Sequence, residues 1–172
     1  MARQISLREF QQSLAQRLRE AQAASEQSSR LGVQAGESLW LLRLDETDEV
    51  LPLPTISPVP LTQPWYLGLA NIRGVMANVV DFGAFLGDEP TVRTPECRLV
   101  LVADRFQSYS GLLISRMMGL RNLQNLEASE TAAASEQKPW AGTMYRDPEG
   151  RTWNELNMAA LVAHENFLNV GA

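Results

Sequence analysis

Between Leu31 and Leu156 the apolar residues of this chain come in short runs. They are SLWLLRL (38–44), EVLPLP (49–54), the two halves of LGLANIRGVMANVV (67–80), CRLVLVAD (97–104), SGLLIS (110–115), WAGTMYRD (140–147) and RTWNEL (151–156). Glycine, proline or acidic turn residues cut each one off, and none leads into an amphipathic crossover helix. Runs of this length joined by tight turns are strands, about nine or ten of them, and such a pattern closes into barrels or sandwiches rather than a parallel α/β sheet. The expected fold is mainly β, two small barrels divided between residues 88 and 97, the first over about 31–90 and the second over about 96–156. Pro52, Pro54, Pro58, Pro60 and Pro64 exclude a central strand from 52–64, so this stretch is an extended crossing that wraps an edge.

Helical patterning occurs only at the two ends. Ser6 with Glu9 forms a capping-box signature, and Leu7, Phe10, Leu14 and Leu18 recur at steps of three or four, giving an amphipathic helix over about 6–27 within an extension of residues 1–30. Its narrow apolar stripe suits a helix laid on a surface, either its own domain or a partner. At the other end Asn157 caps a helix that runs to about residue 170. Residues 127–139, EASETAAASEQKP, read as a loop, and Pro148–Glu149–Gly150 as a hairpin turn.

Composition narrows the function classes. At this size roughly 70% of the unfolded surface can be buried, so 172 residues fold without staples. No apolar run reaches the roughly 20 residues that span a bilayer, and MARQISLREF lacks the apolar core of a signal peptide, so a cytoplasmic protein without membrane insertion is expected. A net charge of −5 argues against a nucleic-acid partner. The charge is uneven, +2 over residues 1–30 and −7 over the rest.

No enzyme chemistry assembles from these residues. The single histidine, His164, lies within the C-terminal helical pattern, and the single cysteine, Cys97, opens an apolar strand as a small buried hydrophobe. Four Cys/His ligands for zinc are lacking, DETDE (45–49) has neither the glycine nor the distal glutamate of a calcium loop, and no phosphate loop is present. No cofactor is expected. The DETDE cluster reads as a solvated turn, except that Glu49 stands at the entry to an apolar strand.

The stretch from Trp65 to Gly87 is almost wholly apolar and carries two charges, Arg73 and Asp81. Asp81 is the N-cap of a short helical turn, DFGAFL, ended by Gly87. Arg73, between Asn71 and Gly74 in the turn of a hairpin, is an odd choice for a core and a sensible one for a contact surface. Glu49 is the nearest upstream strand carboxylate able to hold its planar guanidinium in one direction.

GLANIRG (68–74), followed by an apolar strand and VVDF (79–82), resembles the CheW-like adaptor domain of bacterial chemosensory systems. The likeness runs from about Gly32 to the C-terminus, is specific from NIRG to VVDF and weak after residue 120. The wording QPWYLGLANIRG and the extra N-terminal helix are similar to the branch of that family serving type IV pili and twitching motility. The resemblance implies two intertwined SH3-like five-stranded barrels without catalytic activity. It implies two partners, the cytoplasmic tip of a methyl-accepting chemoreceptor and the regulatory domain of a CheA-type histidine kinase. It also implies recruitment to membrane-associated receptor arrays.

Carried over residue by residue, the resemblance makes Arg73 the motif arginine of a receptor-contacting groove. Gly68 opens the motif, Asn71 and Gly74 flank the arginine, Glu49 falls at its acidic partner, and Thr47 lies on the same edge. In the second barrel the chain departs from the pattern, with Ser115 and Arg116 where the family has an aspartate. A small-molecule-sensing barrel is the alternative reading, since barrels hold ligands and four tryptophans could line a pocket.

Overall fold

The computed structural model describes residues 7–129 and 137–172. Helix α1 (Leu7–Ser28) leads into β1 (Ser29–Ala35), β2 (Ser38–Arg43) and β3 (Thr47–Pro52). After the proline-rich crossing come β4 (Tyr66–Ile72), β5 (Val75–Asp81) and the one-turn helix α2 (Phe82–Phe85). The second half holds β6 (Arg98–Val102), β7 (Ser110–Ile114), β8 (Arg116–Asn122), β9 (Glu127–Ala128), β10 (Ala141–Arg146) and β11 (Thr152–Leu156), then α3 (Met158–Ala163) and α4 (Glu165–Leu168). Ser6, the expected cap of α1, and residues 130–136 of the expected 127–139 loop lie outside the described residues; β9 occupies the start of that loop.

The fold is mainly β, in two sheets. One is ordered β3-β6-β7-β5-β4 and the other β8-β1-β2-β11-β10-β9. Strands from both halves of the chain enter each sheet, so the segments before and after residues 88–97 interlock. Two pairs are parallel, β5 with β7 and β2 with β11. Between β5 and β7 it is antiparallel β6, not a helix, that carries the chain back.

The five-stranded sheet is apolar on both faces, which is why its strands read as continuous runs. Leu99 and Leu101 point into its own barrel with Ala70 and Val79. Their neighbours Val100 and Val102 point the other way and join Val80, Leu112 and Ile114 in a larger core shared with Leu31, Val33, Trp40 and Leu42 of the other sheet. In the six-stranded sheet Trp153, fully buried, lies over Gly32, where an added Cβ would come within 3.0 Å of the indole.

The proline-rich crossing closes the first barrel. β3 and β4 are the two edges of their sheet, and the backbone of Ser57 pairs with Leu69 of β4 at 2.7 and 2.9 Å. Gly68 makes this approach possible: its φ is +127°, and a Cβ there would sit 2.1 Å from the Ser57 carbonyl oxygen. On its far side the crossing pairs with the C-terminal tail, Thr62 against Gly171.

Asp81 is 1% exposed and caps α2 by accepting from Ala84 N–H at 3.2 Å. It also accepts from the backbone and hydroxyl of Thr91 at 2.8 and 2.7 Å, tying the inter-sheet link to the strand end. Cys97 is buried, with its thiol donated to the Val92 carbonyl.

The C-terminal helical segment differs from the single helix expected over 157–170. Asn157 caps α3 as predicted, but His164 is extended (ψ 136°) and its Nδ1 accepts from Asn166 N–H at 3.2 Å to start α4. The burial phase explains the break. Met158 and Leu161 share one helical face, whereas Phe167, six residues on, would leave that face in an unbroken helix. The bend returns Phe167 to the core, stacked on Trp65 at 6.4 Å. His164 packs edge-on to Trp140 at 4.7 Å instead of sitting on a helix surface.

Candidate functional site

β4 and β5 are joined by a two-residue turn, Arg73–Gly74, with Ile72 opposite Val75. Both turn residues have positive φ, +51° and +87°, the backbone twist that two-residue hairpins favour. Glycine takes that conformation freely. Arginine does so at a cost of about 1 kcal/mol. Asn71 Oδ1 accepts from Gly74 N–H at 2.8 Å and closes the turn. The strained residue's side chain is 75% exposed, so packing does not account for an arginine here.

The guanidinium meets Glu49 on β3 in a two-point pair, Nη2 to Oε1 and Nη1 to Oε2, both at 2.7 Å. The pair joins the two edge strands and spans the mouth of the barrel. An exposed pair of this kind contributes about 1 kcal/mol or less to stability. Its larger effect is geometric, because two parallel N–H···O bonds fix the plane of the guanidinium.

Beside the pair lies a groove of about 240 Å³. Ala77, Leu101 and Val102 line it, Val75 and Tyr109 stand on its walls, and Asp48 and Asp104 add charge near Glu49 and Arg73. Val75 is 52% and Tyr109 57% exposed, so the groove offers apolar side chains to solvent next to an aimed cation. Tyr109 is held from behind: its carbonyl accepts from Asn78 N–H at 2.8 Å, and Asn78 Oδ1 accepts from the Tyr66 hydroxyl at 2.7 Å. Its backbone is also left-handed, φ +46°.

Of the residues singled out by sequence, Arg73 and Glu49 meet at the groove, while Asn71 and Gly74 build the turn beneath the arginine. Gly68 lies at the Ser57 crossing, its place set by the close backbone approach. Thr47, at the start of β3, donates its hydroxyl to the Leu44 carbonyl at 3.1 Å and does not line the groove. Sequence reading missed Tyr109, Val75, Asp48 and Asp104. Tyr109 sits in RFQSYS, where only its pairing with Asn78 on a distant strand shows that it faces the groove.

The neighbouring acidic cluster is less solvated than its sequence suggests. Glu46 is 8% exposed, accepts from Met158 N–H at 3.4 Å and lies 3.7 Å from Arg105. Burial pushes its carboxyl above the ordinary value, against the pull of the Met158 N–H and of Arg43 and Arg105. Asp45 carries the exposed contacts, to Arg43 at 3.1 Å and Arg105 at 3.3 Å. Ser115 and Arg116 lie at the turn from β7 to β8, bonded to Gln34 through the Ser115 N–H and the Arg116 guanidinium, both at 2.9 Å. Among the described residues no group of three or more His, Cys, Asp or Glu is placed to hold a metal, and no helix is long and apolar enough to cross a membrane.

Two interlocked β-sheets, each built from strands of both halves of the chain, define a mainly β protein of the intertwined-barrel class. The chain belongs to the CheW-like domain family, which matches residues 30–166. It is 28% identical over 152 residues to the protein PilI of Pseudomonas aeruginosa, covering 87% of this chain and 83% of that one. Its fold is that of the scaffolding protein TtCheW from Thermoanaerobacter tengcongensis, with a TM-score of 0.64 at 14% identity over 81% of this chain and 94% of that structure.

Proposed function

We propose that this chain is a non-enzymatic cytoplasmic adaptor that couples a methyl-accepting receptor (PilJ-like) to a CheA-type histidine kinase (ChpA-like) in the control of type IV pilus twitching motility. The likeness to PilI supports the pilus system, and the family supports the two partners. The observation that carries the receptor assignment is the two-point Glu49–Arg73 pair, which holds a strained, exposed arginine over an apolar groove. In this reading the helical receptor tip lays apolar side chains against Val75 and Tyr109, and a carboxylate or carbonyl of the tip meets the free edge of the Arg73 guanidinium. Glu49 aims Arg73, Asn71 and Gly74 set its height, and Gly68 and Thr47 fix the strands that carry the pair. The protein works at the receptor arrays without entering the membrane.

Arg73→Gly tests this more sharply than alanine does, because glycine relieves the positive φ while removing the guanidinium. Calorimetry against the soluble cytoplasmic fragment of the receptor should show affinity falling about tenfold or more, the cost of losing a charged anchor. The thermal midpoint should hold or rise, and binding to the kinase regulatory domain should be unchanged. Exchanging the charges, Glu49→Arg with Arg73→Glu, should leave affinity below that of the native pair yet above that of Arg73→Glu alone. Receptor affinity unaffected by Arg73→Gly would remove the groove from the interface.

A further inference from the structure

Tyr109 ends the loop from β6 to β7, and its backbone is strained in the same sense as that of Arg73. It is left-handed, with φ +46°, and 57% exposed, so packing within the chain does not account for a bulky residue in a conformation that disfavours every side chain. Strain of this kind persists only where the surroundings hold it. Here the loop is tied at each step. Phe106 N–H donates to the Ala103 carbonyl at 3.0 Å and Gln107 N–H to that of Asp104 at 2.9 Å. The Ser108 hydroxyl donates to Ser110 Oγ at 2.8 Å, and the Ser110 hydroxyl to the Ser108 carbonyl at 3.0 Å. The last tie comes from β5, where the Tyr109 carbonyl accepts from Asn78 N–H at 2.8 Å and, more loosely, from Asn78 Nδ2 at 3.5 Å.

Asn78 does not line the groove, although its neighbour Ala77 does. Alternation along β5 turns the Asn78 side chain to the sheet face of Val80 and Tyr66, toward the larger core. There the buried Tyr66 hydroxyl donates to Asn78 Oδ1 at 2.7 Å. That bond fixes the amide. With Oδ1 taken by the hydroxyl, Nδ2 faces the Tyr109 carbonyl, and the flipped amide would set two acceptors against each other. We propose that Asn78, oriented by Tyr66, is a positioning residue of the groove, setting the direction of the Tyr109 ring from the core side of the sheet before any partner arrives. The inference rests on the receptor reading and deepens it. Tyrosine and arginine are enriched among the residues that anchor interfaces. Here each is preset by a polar partner, Arg73 by Glu49 and Tyr109 by Asn78. A ring already held in its bound direction spares the ordering of one side chain on binding, which is worth about threefold to tenfold in affinity.

Asn78→Val suits a strand and removes the amide, Tyr66→Phe removes only the hydroxyl, and Tyr109→Gly removes the ring while relieving the positive φ. Calorimetry of the full chain against the soluble receptor fragment, well below each variant's melting midpoint, should show affinity falling about tenfold for Tyr109→Gly. Asn78→Val should lose about threefold to tenfold and Tyr66→Phe less, with binding to the kinase regulatory domain unchanged. In the Tyr109→Gly background Asn78→Val should have no further effect, because it acts through a ring that is no longer there. A purely structural role would add its full effect in that background and weaken both partners alike. Without receptor, the fluorine NMR resonance of Tyr109 in protein labelled with fluorotyrosine, assigned by its loss in Tyr109→Gly, should move in Asn78→Val. An unmoved resonance, full receptor affinity in Asn78→Val, or an Asn78→Val effect undiminished by Tyr109→Gly would overturn the proposal and leave the receptor reading standing. So would affinity that falls with Arg73→Gly but not with Tyr109→Gly. Affinity indifferent to both of those glycine variants would overturn the two together.

Discussion

At Gly68 there is room for a hydrogen and nothing larger. Alanine would press its Cβ to 2.1 Å from the Ser57 carbonyl oxygen on a backbone already at φ +127°. The crossing and β4 must then separate, at a cost of about 3 kcal/mol, and the thermal midpoint should fall by about 10 °C. Asp81→Ala should have a comparable effect for a different reason: it removes the cap of α2 and leaves the half-buried Thr91 donors without their acceptor. A melt of either variant within 2 °C of the native protein would refute the corresponding role. Gly74, the turn position of Arg73 and the capping Asp81 were legible in the sequence because each answers a local demand of the backbone, whereas Gly68 was marked only by the motif and answers to the Ser57 carbonyl eleven positions away. Tyr109 was not legible, because its exposure depends on Asn78, thirty-one positions away.

The hairpin of β10 and β11 turns on Asp147. Its carboxylate is 7% exposed, and burial alone would raise its pKa. The Trp153 indole N–H, the Arg151 backbone N–H and the Arg151 guanidinium outweigh burial and bring the value from 3.8 down to about 2. A carboxyl held below its unfolded value stabilises the fold fully above pH 3.8, and that stability is lost as the pH falls through about 2. The melting temperature should therefore drop between those limits, and Asp147→Asn should lower it at neutral pH while flattening the decline. An identical acid profile in the variant would place the acid sensitivity elsewhere. The sequence marked this hairpin by Pro148–Glu149–Gly150, just as it marked α1 and the β4–β5 hairpin by local pattern. It did not show that SGLLISRMMGL divides at Ser115 into β7 and β8, which lie in different sheets, because strand membership is settled by partners outside the segment. The break at His164 was hidden likewise, since it answers to Trp65 and Trp140 and not to helix propensity.

Each sheet takes strands from both ends of the chain, and the larger core is built from both sheets together, Val33 and Trp40 against Val100 and Leu112. Neither sheet can open without stripping the shared core, so the strands should unfold as one unit even though the sequence suggests two barrels. The Trp153 indole N–H tests this, being fully buried in the six-stranded sheet and bonded to Asp147 at 3.0 Å. Gly68→Ala strains only the five-stranded sheet. If unfolding is global, a loss of about 3 kcal/mol at Gly68 should speed hydrogen exchange of the Trp153 indole about a hundredfold, matching the change in the unfolding constant from denaturant titration. If the sheets open separately, the Trp153 rate should stay at its native value while amides of β4 and β5 exchange faster. Shared opening would also give the adaptor mechanical continuity, because a load taken up at the Arg73 turn reaches β1, and through Arg30 the base of α1, without crossing a hinge.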